Sequence, residues 1–205
     1  GNATSKLTGS YNTGIGFQTG YNLTTGLYNV LQGYQAGYNL TTGDSNIAIG
    51  GSAGNDLTSA SNSVLIGASS GANITTAPNT IAIGKEAMGT GITTGTDNIA
   101  IGQLAGNDLT SATASVLVGR YAGANITTAT NTIAIGKDVM SNGATTGTDN
   151  IAIGQSAGNN LSTGEYNFMA GNSAGNSLTT GSYNVVTGYQ AGKSLLGDSY
   201  NVLIG

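Results

Sequence analysis

The chain has 205 residues, of which 35 are glycine, and only 7% carry charge. Its net charge of −4 comes without a basic cluster, which argues against binding to nucleic acids or anionic lipid surfaces. There is no apolar run of 18 residues, so we expect no membrane insertion. Histidine and cysteine are both missing, so we expect neither enzymatic activity nor a cofactor.

A glycine recurs every 17 or 18 residues, and each one closes a short apolar run such as Asn-Ile-Ala-Ile-Gly. A fixed period of this length is typical of solenoids, in which stacked coils bury their apolar side chains against one another. Residues 46–97 and 98–149 also form a duplicated block of three coils, with 38 of 52 residues identical. We predict an all-β, parallel β-solenoid or β-roll of about twelve 17–18-residue coils. It would span 1–205 as one repeat domain, and we expect it to be a segment of a longer fibre.

The apolar run of each coil predicts a β-strand, because β-branched residues dominate the positions three before and one before the closing glycine, as at Ile47 and Ile49. We expect these two columns to face the core of the coil. The residue between them should then face outward, yet it is never polar, and a strand that is apolar on both faces is normally buried on both. We therefore predict that this central column forms the subunit interface of a homotrimer. Its members are Leu31, Ala48, Leu65, Ala82, Ala100, Leu117, Ala134, Ala152, Met169, Val186 and Leu203.

The second half of each coil reads Ala-Gly-x-x-Leu-Thr-Thr-Gly, as in 36–43. Its first glycine suits a corner with positive φ, and its leucine is expected in the core as part of a second short strand. In the 18-residue coils Met88 and Met140 replace the corner glycine, and the extra residue predicts a longer turn at 89–91 and 141–143. The core column formed by the second half comprises Leu23, Leu40, Leu57, Ile74, Ile92, Leu109, Ile126, Leu161, Leu178 and Leu195.

Three polar columns accompany this pattern. Asparagines four residues before the closing glycine, such as Asn29 and Asn46, predict a ladder of stacked amides. The threonine pairs predict turns, with an ice-binding face as the alternative. Asp97 and Asp149 predict Asx turns, with a calcium site as the less favoured alternative, because the Gly-Gly-x-Gly-x-Asp pattern is missing.

The ten tyrosines, with the exception of Tyr121, lie near the two ends of the sequence. We expect them to pack across neighbouring coils. The alternative is that exposed rings recognise a cell-surface receptor or glycan.

The apolar runs, such as 63–67, 98–102 and 132–136, resemble the Ser-Val-Ala-Ile-Gly signature of the YadA-like head repeats of trimeric autotransporter adhesins. The longer unit at 41–50 is also similar to repeats in phage tail fibres. The resemblance covers nearly the whole chain, although the adhesin unit is usually shorter, at about 14 residues. It implies three β-rolls packed around a common axis, and attachment to a cell or virion.

These observations predict a structural rod segment of an extracellular or virion fibre, an adhesin head or tail-fibre shaft that acts in surface attachment. The expected partners are further copies of the chain, as a homotrimer, and a cell-surface receptor or glycan. The expected location is extracellular, at a cell surface or on a virion. Two alternatives remain: a filament that assembles end to end, and an ice-binding solenoid that uses its threonine ladder.

Overall fold

The computed structural model describes residues 8–205, and it confirms the predicted all-β, parallel β-solenoid fold. Each coil contributes one three-residue strand, and no helix occurs in the described residues. The strands are β1 (Thr13–Ile15), β2 (Val30–Gln32), β3 (Ile47–Ile49), β4 (Val64–Ile66), β5 (Ile81–Ile83), β6 (Ile99–Ile101), β7 (Val116–Val118), β8 (Ile133–Ile135), β9 (Ile151–Ile153), β10 (Phe168–Ala170), β11 (Val185–Thr187) and β12 (Val202–Ile204).

The twelve strands form one parallel sheet in which each strand pairs with the next one in sequence. The register follows the repeat, since Val64 of β4 pairs with Ile47 of β3 and with Ile81 of β5. Eleven steps of about 4.8 Å make the sheet about 53 Å long. The repeat period is therefore the number of residues in one turn of the solenoid.

The second strand predicted for each coil does not form. Outside the named strands the structure describes one isolated bridge, between Ile126 and Thr145. The remainder of each coil turns too sharply for a strand. Its corner residue has positive φ, +55 to +64 where it is glycine, and so do the closing glycine and two further positions, such as Ser45 and Ser52. Its backbone amides still bond to the next coil, as Thr41 N does to Thr58 O at 2.9 Å.

The predicted assignment of the strand faces is wrong. The central column points into the core of its own chain. Ala48, Leu65, Ala82, Ala100, Leu117, Ala134, Ala152, Met169 and Val186 have no exposed surface, Leu31 is also buried, and Leu203 in the last strand is partly buried. The predicted inner columns lie on the outside, where Ile47 and Ile49 flank the buried Ala48. A three-residue strand places only its middle side chain on the inner face, since side chains alternate.

The central column fits the core because the size of the side chain at the strand centre varies with the residue at the neighbouring corner. Leu65 fills the space beside two corner glycines, and a Cβ added at Gly54 or Gly71 would lie only 2.8 or 2.7 Å from its methyl groups. Corner methionines occur only between two strands with a central alanine. Met88 lies between Ala82 and Ala100, and Met140 lies between Ala134 and Ala152. The two positions thus share one volume of the core.

The leucine column of the second half is buried as predicted, with one exception in the described residues and a partly buried end at Leu195. Ile92 was expected in this column but is 64% exposed. The extra residue of the 18-residue coil shifts the chain by one position, so that Thr93 is buried instead and donates its hydroxyl to Leu109 O at 2.9 Å. The Met88 side chain, fully buried, occupies core space in this coil.

Candidate functional site

The outer face of the sheet carries two columns of apolar side chains, contributed by the first and third residues of the strands. From β3 to β9 every member of both columns is isoleucine or valine. These side chains are partly exposed, for example Ile101 at 38% and Ile153 at 40%. We name these two columns the outer strip.

The outer strip is long and continuous. It follows the sheet for about 53 Å, with polar residues only near its ends, at Thr13, Gln32 and Thr187, and its columns lie about 6.7 Å apart, so it covers roughly 350 Å² in flat projection. The largest apolar patch of an ordinary monomer is about 300–600 Å² and is often functional. The outer strip is therefore comparable in size with such a patch, and between β3 and β9 it consists only of Ile and Val.

A buried asparagine ladder runs behind the strands, as predicted. Asn46 donates its Nδ2 to Asn29 Oδ1 at 3.0 Å and to Ala60 O at 2.8 Å. Asn167 and Asn184 repeat this arrangement, while Ser63, Thr80, Ser115 and Thr132 replace asparagine in the middle coils and are also buried. The ladder joins consecutive coils from inside and is buried from Asn29 to Asn184.

In several threonine pairs the hydroxyl of the first residue is bonded within the solenoid. Thr41 Oγ1 donates to Thr58 O at 3.0 Å, and Thr24 makes the same bond to Thr41 O. The second residue of the pair, such as Thr42, is exposed. The predicted turn role accounts for the first threonine of such a pair. The hydroxyl of the second threonine is left on the surface, in one row along the solenoid.

The two aspartates considered for calcium have both carboxylate oxygens engaged. Asp97 accepts hydrogen bonds from Thr96 Oγ1 at 2.6 Å and from Asn79 Nδ2 at 3.0 Å, and these bonds hold its pKa below the usual value. Asp149 has the same pair of contacts, from Thr148 and Asn131. In residues 8–205 no group of three or more acidic, histidine or cysteine side chains could hold a metal ion.

Most tyrosines pack across neighbouring coils, as predicted. The rings of Tyr166, Tyr183 and Tyr200 stack nearly parallel, with centroids 5.0 and 5.1 Å apart, and Tyr11 stacks on Tyr28 in the same way. Stacking covers the ring faces between neighbouring coils, whereas the outermost rings, Tyr11 and Tyr200, remain 76% and 78% exposed. Tyr121 does not stack on another aromatic ring, because the equivalent positions in the two neighbouring coils are Leu104 and Asp138. Arg120 Cζ lies 5.1 Å from the centroid of the Tyr121 ring.

Comparison of the chain with protein-family models, with curated proteins and with solved structures gives no match. The described residues also contain no helix that is long and apolar enough to cross a membrane.

Proposed function

We propose that the chain is a rigid rod segment of an extracellular or virion fibre, which associates with sister copies as a homotrimer and acts in surface attachment. The observation that carries this proposal is the outer strip, which consists only of isoleucine and valine from β3 to β9, on a chain that has its own core. The number of copies comes from the resemblance to trimeric adhesin heads.

A sister copy is the partner that fits the outer strip best. From β3 to β9 the strip is ridged, with one row of Ile or Val side chains for each strand at a spacing of about 4.8 Å. Ridges pack tightly only against a surface with matching grooves, and another copy of the same solenoid has the same spacing. Burial of apolar surface then stabilises the assembly by about 25 cal/mol for each Å² removed from water.

The mechanism of such a fibre is mechanical. Each coil is bonded to the next through its strand, its turns and the asparagine ladder, so a load along the rod is shared by many hydrogen bonds. Repeated coils also hold a binding surface at a fixed distance from the point of anchorage.

Light scattering on the purified protein tests the proposal. We expect a mass of about three times the 20.2 kDa of the chain, together with elongated particles in electron micrographs. Compact monomers at micromolar concentration would contradict it, and long polymers would favour the end-to-end filament.

Ice binding is the alternative supported by one observation, the exposed row that contains Thr42 and its equivalents. A flat ice-binding face needs threonines at i and i+2, which point the same way, whereas these pairs are adjacent. Thermal hysteresis separates the two functions, since a fibre shaft should show none.

A further inference from the structure

A cavity of about 530 Å³ opens in the middle of the rod, across the coils of β6 to β9. Its lining includes Leu104, Asn107, Tyr121, Asp138, Ser141 and Asn159. We name this cavity the Tyr121 groove. Three coil steps of about 4.8 Å make it about 14 Å long, and its volume lies within the range of about 300–1,000 Å³ that is usual for ligand sites.

The groove lies beside the second 18-residue coil. Ser141 belongs to the longer turn of that coil, and Asn159 follows in the next coil. Asn159 donates its Nδ2 to Asp138 O at 2.7 Å and to Ser141 Oγ at 3.3 Å. The corresponding Asn176, after a 17-residue coil, instead bonds to Ser156 O alone. The extra residue therefore changes the polar lining at this point.

Two amide oxygens at the groove lack a hydrogen bond. Asn107 Oδ1 and Asn159 Oδ1 are buried, Asn159 as a whole is only 7% exposed, and no donor among residues 8–205 reaches either oxygen. Buried acceptors are normally paired, because an unpaired one loses its hydration without compensation. A bound group that carries O–H or N–H donors, or a water held in place by it, would supply the missing bonds.

A metal ion does not suit this arrangement. The two oxygens lie on coils three steps apart, about 14 Å, whereas calcium ligands lie about 2.3–2.6 Å from the ion. The required ligand is therefore elongated and carries several donors.

The remaining lining favours hydroxyl groups as those donors. The Asp138 carboxylate accepts hydrogen bonds from such donors, and the Ser141 hydroxyl, which itself donates to Asp138 O at 3.2 Å, is a further acceptor. Tyr121 is half-buried and adds an aromatic ring, which packs against the apolar face of a sugar. Arg120 and Lys137 lie next to the groove residues Tyr121 and Asp138, and Lys137 Nζ is 3.4 Å from Asp138 Oδ2.

We infer that the Tyr121 groove binds a short stretch of a glycan, with Tyr121 as the stacking platform and with Asp138, Ser141 and Asn159 as polar contacts. This inference rests on the attachment role proposed above and gives it a ligand class. It does not require the outer strip, because the groove is lined by residues of one chain.

The duplicated block provides a matched variant for the test. Ser69 occupies the position of Tyr121 in the first copy, with the same positive φ, so Tyr121→Ser places a residue that the fold already accepts there. The control is Tyr189→Ser, which removes an exposed tyrosine outside the groove.

The experiment measures binding of the intact protein to an array of neutral and acidic oligosaccharides, with light scattering on the same samples. We expect the wild type and Tyr189→Ser to bind the same oligosaccharides, and Tyr121→Ser to lose at least tenfold in affinity at unchanged mass. Binding to no oligosaccharide, or equal binding by Tyr121→Ser, would overturn the inference. If the wild type is monomeric but shows this pattern of binding, the proposed fibre assembly is refuted and the glycan inference stands.

Discussion

Asn167 illustrates how a single buried side chain links three coils. Its Nδ2 donates to Asn150 Oδ1 at 3.0 Å and to Gly181 O at 2.9 Å, and its Oδ1 accepts from the backbone and side chain of Asn184, both at 3.0 Å. Every polar atom of this amide is thus used within the core. The asparagine column could be predicted from sequence, because a polar residue repeated at one position needs a repeated partner.

Replacement of Asn167 by leucine should destabilise the solenoid strongly. The change leaves Gly181 O and the Asn184 backbone N–H without partners, at a cost of about 1–3 kcal/mol for each buried group, and removes one of the two bonds of Asn184 Nδ2. Asn167→Ser is the control and should cost less, because the chain already uses serine in this column at Ser63 and Ser115. Urea unfolding measures the difference. Equal stability of the leucine variant and the wild type would show that the ladder contributes nothing.

Within one coil, the corner and the strand centre cooperate to fill a single layer of the core. Leucine at the centre accompanies glycine at the corner, and methionine at the corner accompanies alanine at the centre, as for Leu65 with Gly71 and Ala100 with Met88. The corner glycines were predictable from their spacing, and the structure confirms their positive φ. The complementarity was also present in the sequence, and it places the central column in the core.

Ala100→Leu should therefore overpack the layer that Met88 occupies, at a cost of about 1–3 kcal/mol. Met88→Gly alone should create a cavity and cost about 2–5 kcal/mol. The loss of unfolding free energy in the double variant should be smaller than the sum of the two single losses by at least about 1 kcal/mol, because the added leucine fills the space that methionine leaves. Unfolding of all four proteins measures this coupling, and strictly additive effects would contradict the shared layer.

At the scale of the whole molecule, the period predicted the parallel ladder and its register, but the faces of the strand were assigned the wrong way round. A strand such as Ile47–Ile49 has apolar residues on both sides, so composition alone does not distinguish inside from outside. The buried Asn46 gives the missing signal, because it lies two residues before Ala48 and shares its face. The Tyr121 groove could not be predicted, since it depends on how four coils stack around one inserted residue.

The corrected faces change what assembly requires. The outer strip, and not the central column, is the surface available to sister copies. Leu117 has no exposed surface, whereas Val116 and Val118 on either side of it are partly exposed. One strand thus contains both a core position and a strip position, which allows the two roles to be separated by substitutions of the same kind.

The most direct test compares Leu117→Lys with Val118→Lys in strand β7, by recording mass from light scattering and thermal unfolding by circular dichroism on the same samples. We predict that Val118→Lys keeps its β-signal while its mass falls towards 20.2 kDa, because the charge lies on the outer strip. Leu117→Lys should lose about 4 kcal/mol or more, since it buries an unpaired charge. A Leu117→Lys protein that melts normally but dissociates, beside a Val118→Lys protein that unfolds, would contradict this account.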